Sequence, residues 1–368
     1  MNKYDIAAYI WPSYTGKEQR TRMFWPDGIG EWQTVKSAGP KFEGHLWPRK
    51  PLLGYTDEAD PEVMKEHIGL AASHGVNVFI YDWYWFDDRP FLENCLNDGY
   101  LEAAKTDPSV KFYLMWANHD AGYTWDKRIS DSIFDPVDPP PCIWRGDVTP
   151  DQFHRISDRL ISRYFTHPLY YKIDGCPVFS IYEWPNLVKG LGGIENTRRE
   201  LDLFREKVVR AGFPGLHLQL VLCAKLGNAN AITPGDYRAL GFDSITHYQY
   251  VHFTNVDRSY PELMADVEKE WANVGPAYNT TYFPHISVGW DANPRFTRFV
   301  PGIIRDNTPE NLVPALEAAK AYADAHPGQP PLITVNAWNE WTEGSYLLPD
   351  DLYGYGYLDA IKKVFCDT

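Results

Sequence analysis

Short apolar or alternating runs recur along the chain at 5–10, 76–82, 111–116, 177–182, 217–223, 244–248, 285–288 and 333–338. Each reads as a strand. Between most of them lie segments of helical period with legible starts. Asp60-Pro61-Glu62 places a capping residue before a proline at the first helical position. Val63, Met64, Ile68, Ala71 and Ala72 then share one face, and Gly75 ends the run. Thr149-Pro150-Asp151 repeats the device ahead of Phe153, Ile156, Leu160 and Ile161, and Thr308-Pro309-Glu310 does so ahead of Leu312, Leu316 and Ala319. Proline is tolerated there because the first N–H groups of a helix have no partner within it. Helices are also predicted over 197–211 and 261–274.

Eight strands alternating with helices predict an α/β fold, a single (β/α)8 barrel spanning residues 1–368 as one domain. A doubly wound sheet is the alternative, but no Gly-x-Gly-x-x-Gly follows the first strand. The segment 11–51 is long and rich in Trp, Gly and Pro. In a barrel it lies over the C-terminal mouth, where active sites are built. The proline-rich stretch 135–142 reads as a loop after the third strand.

Charge and composition narrow the function. Lys and Arg total 35 against 49 Asp and Glu, a net charge of −14. That balance argues against a nucleic-acid or anionic-membrane partner, since both need clustered basic side chains. The longest apolar runs are too short to span a bilayer. No secretory-signal pattern opens the chain, so as written it reads as cytoplasmic; a trimmed periplasmic chain reads the same. The five cysteines fit neither a disulfide framework nor a metal-ligand spacing, and no His-Glu-x-x-His or dense carboxylate loop occurs. No metal and no cofactor is expected. Oligomeric state is not legible. Aromatic residues make up 15% of the chain, with 14 Trp and 24 Tyr. Flat rings beside carboxylates suit a sugar, whose C–H faces stack while its hydroxyls bond; a Trp-rich core is the competing explanation.

Polar and aromatic side chains collect where strands end. Tyr9 and Trp11 follow the first, Asp82 and Tyr84 the second, Trp116 and Asn118 the third, and Glu183 and Trp184 the fourth. Lys225 follows the fifth, His247 and Tyr248 the sixth, Trp290 and Asp291 the seventh, with Arg295 nearby, and Asn336 and Trp338 close the eighth. The joint bias to one end of the barrel favours a binding site there. Asp82 is equally a buried hydrogen-bond partner, His247 equally a core residue, and about half of Trp116, Trp184, Trp290 and Trp338 are expected in the core. His45 and Trp47 are lid contacts at most.

The sharpest signal follows the eighth strand. Glu340 and Glu343 are three residues apart, and on a helical turn such positions face the same way. Two carboxylates addressing one small volume push one pKa up, so that one acts as acid and the other as base. Glycosidic cleavage needs such a pair, within about 8 Å of each other. A bare Glu-x-x-Glu is more simply a solvated helix start. Flanking Asn336, Trp338, Asn339 and Trp341 argue against that.

Together with Leu348-Pro349-Asp350, the run Asn-Ala-Trp-Asn-Glu-Trp-Thr-Glu-Gly at 336–344 resembles the WbsX-like proteins, which are related to glycoside hydrolase family 99 and more distantly to family 71. Tyr84-Trp85-Phe86, Trp116-Ala117-Asn118, Tyr171-Lys172-Ile173-Asp174-Gly175 and Gly289-Trp290-Asp291 through Arg295 extend the likeness over nearly the whole chain. The resemblance implies a (β/α)8 fold and retaining action on α-linked glycans. It also implies Glu340 as the base that deprotonates the substrate's own 2-hydroxyl and Glu343 as the acid/base. The chain departs from the family pattern at Asn118-His119-Asp120, where Asn-Glu-Asn is common, which bears on the substrate more than on the reaction. Glu183 is the rival acid. The oligo- or polysaccharide reading has two competitors: a glycosyltransferase or transglycosylase with the same site, and a non-catalytic carbohydrate-binding barrel.

Overall fold

Among the described residues, eight parallel strands follow the expected order: β1 Asp5–Ile10, β2 Val78–Phe86, β3 Lys111–Trp116, β4 Cys176–Ile181, β5 His217–Val221, β6 Ser244–Thr246, β7 in two pieces at Thr281–Tyr282 and His285–Ser287, and β8 Leu332–Asn336. The computed structural model describes residues 3–122, 125, 134 and 142–366. Most of the expected loop 135–142 lies outside the described residues.

The two pieces of β7 close the ring. Tyr282 pairs with Ile245 of β6, while His285 pairs with Thr334 of β8. Pro284 has no N–H to give to a ladder, so the strand breaks there and changes partner. Its neighbours still bridge: Phe283 N donates to Ile245 O at 2.9 Å, and Thr334 N donates to Pro284 O at 3.1 Å. From β8 the ring passes to β1, β2 and on to β6, all parallel. Closure leaves the barrel strands no free edge.

Contacts between non-neighbouring strands cross the barrel interior and show what fills it. Tyr113 OH of β3 donates to Gln219 Oε1 of β5 at 3.2 Å. Thr246 of β6 and Thr334 of β8 share a 2.8 Å hydroxyl bond, and His285 Nδ1 lies 2.9 Å from the same Thr334 hydroxyl. The Tyr9 ring sits 6.1 Å from that of His285. This plug is polar and aromatic rather than aliphatic, and its polar atoms bond largely to one another.

The outer helices form where capping chemistry places them. Asp60 accepts from Glu62 N at the start of α1 (Pro61–Ser73). Thr149 and Gln152 form a reciprocal box at the start of α2 (Pro150–Arg159), and Thr308 accepts from Asn311 N ahead of α3 (Pro309–Ala325). The helices predicted at 197–211 and 261–274 occupy Ile194–Arg210 and Tyr260–Tyr278. One apolar cluster runs from Tyr4 to Val364. The first loop lies on the mouth as expected, pinned where Leu52 N donates to Pro349 O at 2.9 Å. No helix among the described residues is long and apolar enough to cross a membrane.

Candidate active site

The two glutamates sit on a tight hairpin beyond β8. Asn339 pairs with Tyr346 and Glu340 with Ser345, and the turn between them is one narrow helical turn at Trp341–Glu343. The expected α-helical turn is thus a tighter one, in which positions three apart lie one above the other. Gly344 ends it at φ 60°, and a Cβ there would stand 3.1 Å from the Asp291 Cβ. Only glycine meets both demands comfortably. The close approach lets Asp291 N donate to Glu343 O at 2.6 Å, which ties this hairpin to the loop after β7. Asn339 ties it to β1. Its Oδ1 accepts from Trp11 N at 2.8 Å, and its Nδ2 donates to Trp11 O at 2.9 Å and to Glu58 Oε2 at 2.8 Å.

One guanidinium touches both carboxyls. Arg295 Nη2 donates to Glu340 Oε1 at 2.8 Å and Nη1 to Glu343 Oε1 at 2.6 Å, while Nε lies 3.5 Å from Glu31 Oε1. The pair therefore shares one small volume. Burial raises the pKa of Glu340 well above the usual carboxylate range, Glu343 adds to that, and Arg295 opposes it. Burial likewise raises Glu343, against the pull of Arg295. Asp82 is pushed well up by burial, partly opposed by Tyr248 OH, which donates to Asp82 Oδ2 at 2.9 Å. Buried Asp82 Oδ1 and Glu343 Oε2 have no hydrogen-bond partner among the described residues.

These groups open into a cavity of about 340 Å³ at the C-terminal mouth. Trp11, Asp82, Tyr84, Tyr248, Trp290, Glu340 and Glu343 line it, all singled out from the sequence. The other expected residues stand elsewhere, and strand parity explains most of them. Side chains alternate in and out of a barrel wall. Met115 and Ala117 face the cavity, so Trp116 faces out and stacks on Phe153 at 6.0 Å. Tyr248 faces in, so His247 faces out, with Nδ1 2.7 Å from Tyr282 OH. Tyr182 lines the cavity and Glu183 does not; the Glu183 backbone is clasped by the Asn118 side chain at 2.7 and 2.8 Å. Trp184 begins the short helix Trp184–Leu191 beside it. The rival acid thus lies off the cavity with Asn118 and Trp184. Trp338 packs on Phe79 at 5.1 Å in the outer core. Asn336 accepts from Gln249 Nε2 at 2.8 Å, and Tyr9 lies edge-on to Tyr248, 4.8 Å away.

Asp291 lines a second, neighbouring cavity of about 490 Å³. It accepts from Trp47 Nε1 at 2.7 Å and meets His45 Nε2 at 2.7 Å, so the two expected lid residues reach Asp291 rather than the first cavity.

Sequence reasoning missed Glu31, Trp125 and the depth of Arg295's involvement. Glu31 accepts from Trp11 Nε1, from Ser13 Oγ at 3.3 Å and from Thr342 Oγ1 at 3.0 Å. A lone Glu in a long irregular loop gives no spacing signal. His119, at the point of departure from the family pattern, lines the cavity; its Nδ1 bonds to Asp120 O at 2.9 Å, which leaves Nε2 as an acceptor. Among the described residues no group of three or more His, Cys, Asp or Glu side chains is placed to hold a metal ion.

The family model described as Glycosyltransferase WbsX matches residues 6–361. Two curated relatives, each described as uncharacterized protein WxcX and from two strains of Xanthomonas campestris pv. campestris, are 28% identical over 369 and 371 residues. The alignments cover 92% of this chain and 46% of each relative, so the chain spans about half the length of the curated relatives it matches. Among solved structures, the GH99 endo-alpha-mannosidase from Bacteroides thetaiotaomicron superposes with a TM-score of 0.61 at 14% identity, covering 98% of this chain and 96% of that one. A structure described as a glycoside hydrolase-like protein superposes at 0.62 and 15% identity, covering 99% and 94%. At these identities the likeness carries the fold.

Proposed function

The chain belongs to the WbsX glycosyltransferase family, a carbohydrate-active family, and from that premise we propose that it is a glycoside hydrolase cleaving an α-linked glycan with retention. The observation that carries the reading is the Glu340–Glu343 pair, brought together on one guanidinium at an aromatic-lined cavity of the barrel mouth. Burial that raises both carboxyls, opposed by one cation, leaves the pair able to hold a proton above the ordinary carboxylate range. The aromatic lining and the chain's acidic balance favour a neutral or weakly charged glycan.

In the proposed course, Glu340 takes the proton of the 2-hydroxyl, whose oxygen attacks C1. The C1–O bond to the leaving sugar breaks, and Glu343 gives that oxygen its proton. Glu343 then takes a proton from water, the hydroxide oxygen bonds to C1, the anhydro ring opens, and O2 recovers its proton from Glu340. α-Linkage and the 2-hydroxyl route come from the family likeness; the endo-alpha-mannosidase of the same fold is consistent with the former. Glu343→Gln is expected to slow substrates with poor leaving groups by 10²-fold or more, at an order-of-magnitude level, and to spare the first step of a glycosyl fluoride, which needs no protonation. Equal loss on both substrates sinks the assignment of Glu343. A stable protein adduct with a 2-fluoro sugar, seen by mass spectrometry, replaces the 2-hydroxyl route with a covalent one. The family description favours one competitor, transfer to a sugar hydroxyl in place of water. Products analysed with and without an acceptor separate the two.

A further inference from the structure

Paired carboxylates suffice for glycosidic cleavage, yet here a third group holds them. Arg295 ends the short turn Asn293–Arg295 beyond β7 and is buried. Two of its nitrogens donate to the glutamate pair, Nη1 to Glu343 at 2.6 Å and Nη2 to Glu340 at 2.8 Å, while Nε lies 3.5 Å from buried Glu31, a charge contact rather than a hydrogen bond. Glu31 lies in the first loop and accepts from the Oγ1 of Thr342, one of the two residues between the glutamates in the turn, at 3.0 Å. It also accepts from the indole of Trp11, which lines the cavity. Glu31 thus reaches the glutamate pair by two routes, through the guanidinium and through the turn.

We propose that Arg295 is the positioning residue of this site: its planar fork sets the two glutamate carboxyls side by side, and Glu31, in charge contact with the guanidinium and bonded to the turn, makes the first loop a working part of the site rather than a cover. The proposal rests on the reading of Glu340 and Glu343 as the reacting pair. A guanidinium suits the task because it presents donors in a rigid plane and stays charged; an ammonium is a point charge and cannot bridge two carboxyls with fixed geometry. Charge balance gives the arrangement a consequence. Arg295 is the one Lys or Arg among the described residues that line the cavity. Among the described residues, the acidic and phenolic groups around the pair are Glu31 and Tyr14 from the first loop, Asp82 and Tyr84 from β2, Tyr182 after β4 and Tyr248 after β6. One buried cation does not balance three or four buried carboxylates, so the protons retained among them depend on where that cation is held.

The test reads the carboxyls directly and needs no substrate. The full chain labelled with carboxyl-13C glutamate is titrated by NMR, and Glu340→Gln and Glu343→Gln assign the two resonances. Arg295→Met is expected to raise the titration midpoint of at least one of them by about one pH unit or more, because an opposite charge at contact distance is removed. Arg295→Lys is expected to fall between wild type and Arg295→Met. Glu31→Gln is expected to lower the midpoints, since a negative neighbour is lost while the guanidinium stays. Midpoints unchanged in a folded Arg295→Met protein overturn the proposal. If that variant does not fold, unchanged midpoints in both Arg295→Lys and Glu31→Gln overturn it. The kinetic arm uses a panel of aryl α-glycosides, where the same substitutions are expected to move the limbs of the kcat/KM pH profile in the same directions. Failure of wild type to turn over any glycoside counts against the proposed function alone, and the titration still decides the role of Arg295.

Discussion

Two tryptophans at strand ends have opposite fates in this molecule. Trp116 is sealed against Phe153, while Trp290 keeps some exposure and lines the cavity. Trp116→Ala is therefore expected to cost about 3–5 kcal/mol of stability, as a large aromatic leaves a cavity behind it, and to leave glycan affinity unchanged. Trp290→Ala is expected to weaken binding by roughly 1–3 kcal/mol with little change in Tm. Calorimetric titration with the best ligand of a defined glycan panel, beside thermal melts, checks both; lost affinity in Trp116→Ala with an unchanged Tm reverses the placement. At this scale the sequence told which residue types gather at the mouth and not which way each points. Composition cannot distinguish position 115 from 116. Counting parity from Asp82 inward-facing to Trp83 outward-facing could have done so, because the strand repeat is two. No such count could reach Glu31, whose contacts cross more than 260 residues of chain to Arg295.

Among the elements, the capped helices were legible because Asp60-Pro61, Thr149-Pro150 and Thr308-Pro309 encode their own boundaries within three residues. The split of β7 and the hairpin at 339–346 were not, since each is decided by partners distant in sequence. Glu58 shows how the first loop and that hairpin are joined. Its buried carboxyl meets Asn339 Nδ2 at 2.8 and 3.1 Å and Cys95 Sγ at 3.7 Å, and burial pushes its pKa from 4.5 to about 8. The folded protein thus holds this proton more tightly than the unfolded chain. Its stabilising effect is full below pH 4.5 and is lost as pH rises towards about 8. Glu58→Gln cannot titrate, so the fall in Tm between those pH values is expected to become shallower in that variant, whatever its offset at low pH. A fall as steep as in wild type excludes Glu58 as its source.

For the whole molecule, two sets of buried groups oppose each other. His67 is pushed by burial to about 4, His247 to about 3, and His285 well below its ordinary 6.5. Each stays neutral in the folded protein while the unfolded chain takes up protons below 6.5, so their contribution is lost as pH falls from 6.5 towards 3 or 4. Glu58, Asp82, Glu340 and Glu343 act in the other direction, because burial raises them all and their contribution is lost as pH rises above the ordinary carboxylate range. Between about 4.5 and 6.5 the two trends overlap and largely offset one another. Below that window the histidines act, joined by carboxyls that their partners hold low, such as Asp291 and Asp324, and above it the raised carboxyls act. Self-repulsion of a chain carrying −14 steepens the alkaline side at low salt. The expected Tm profile is a plateau in mildly acidic solution with a fall on either side, measured by calorimetry at fixed ionic strength. His67→Gln is expected to soften the acid fall alone and Glu58→Gln the alkaline fall alone. A Tm that climbs steadily from pH 5 to 8 contradicts the burial of the carboxyls, and with it the electrostatic basis of the site.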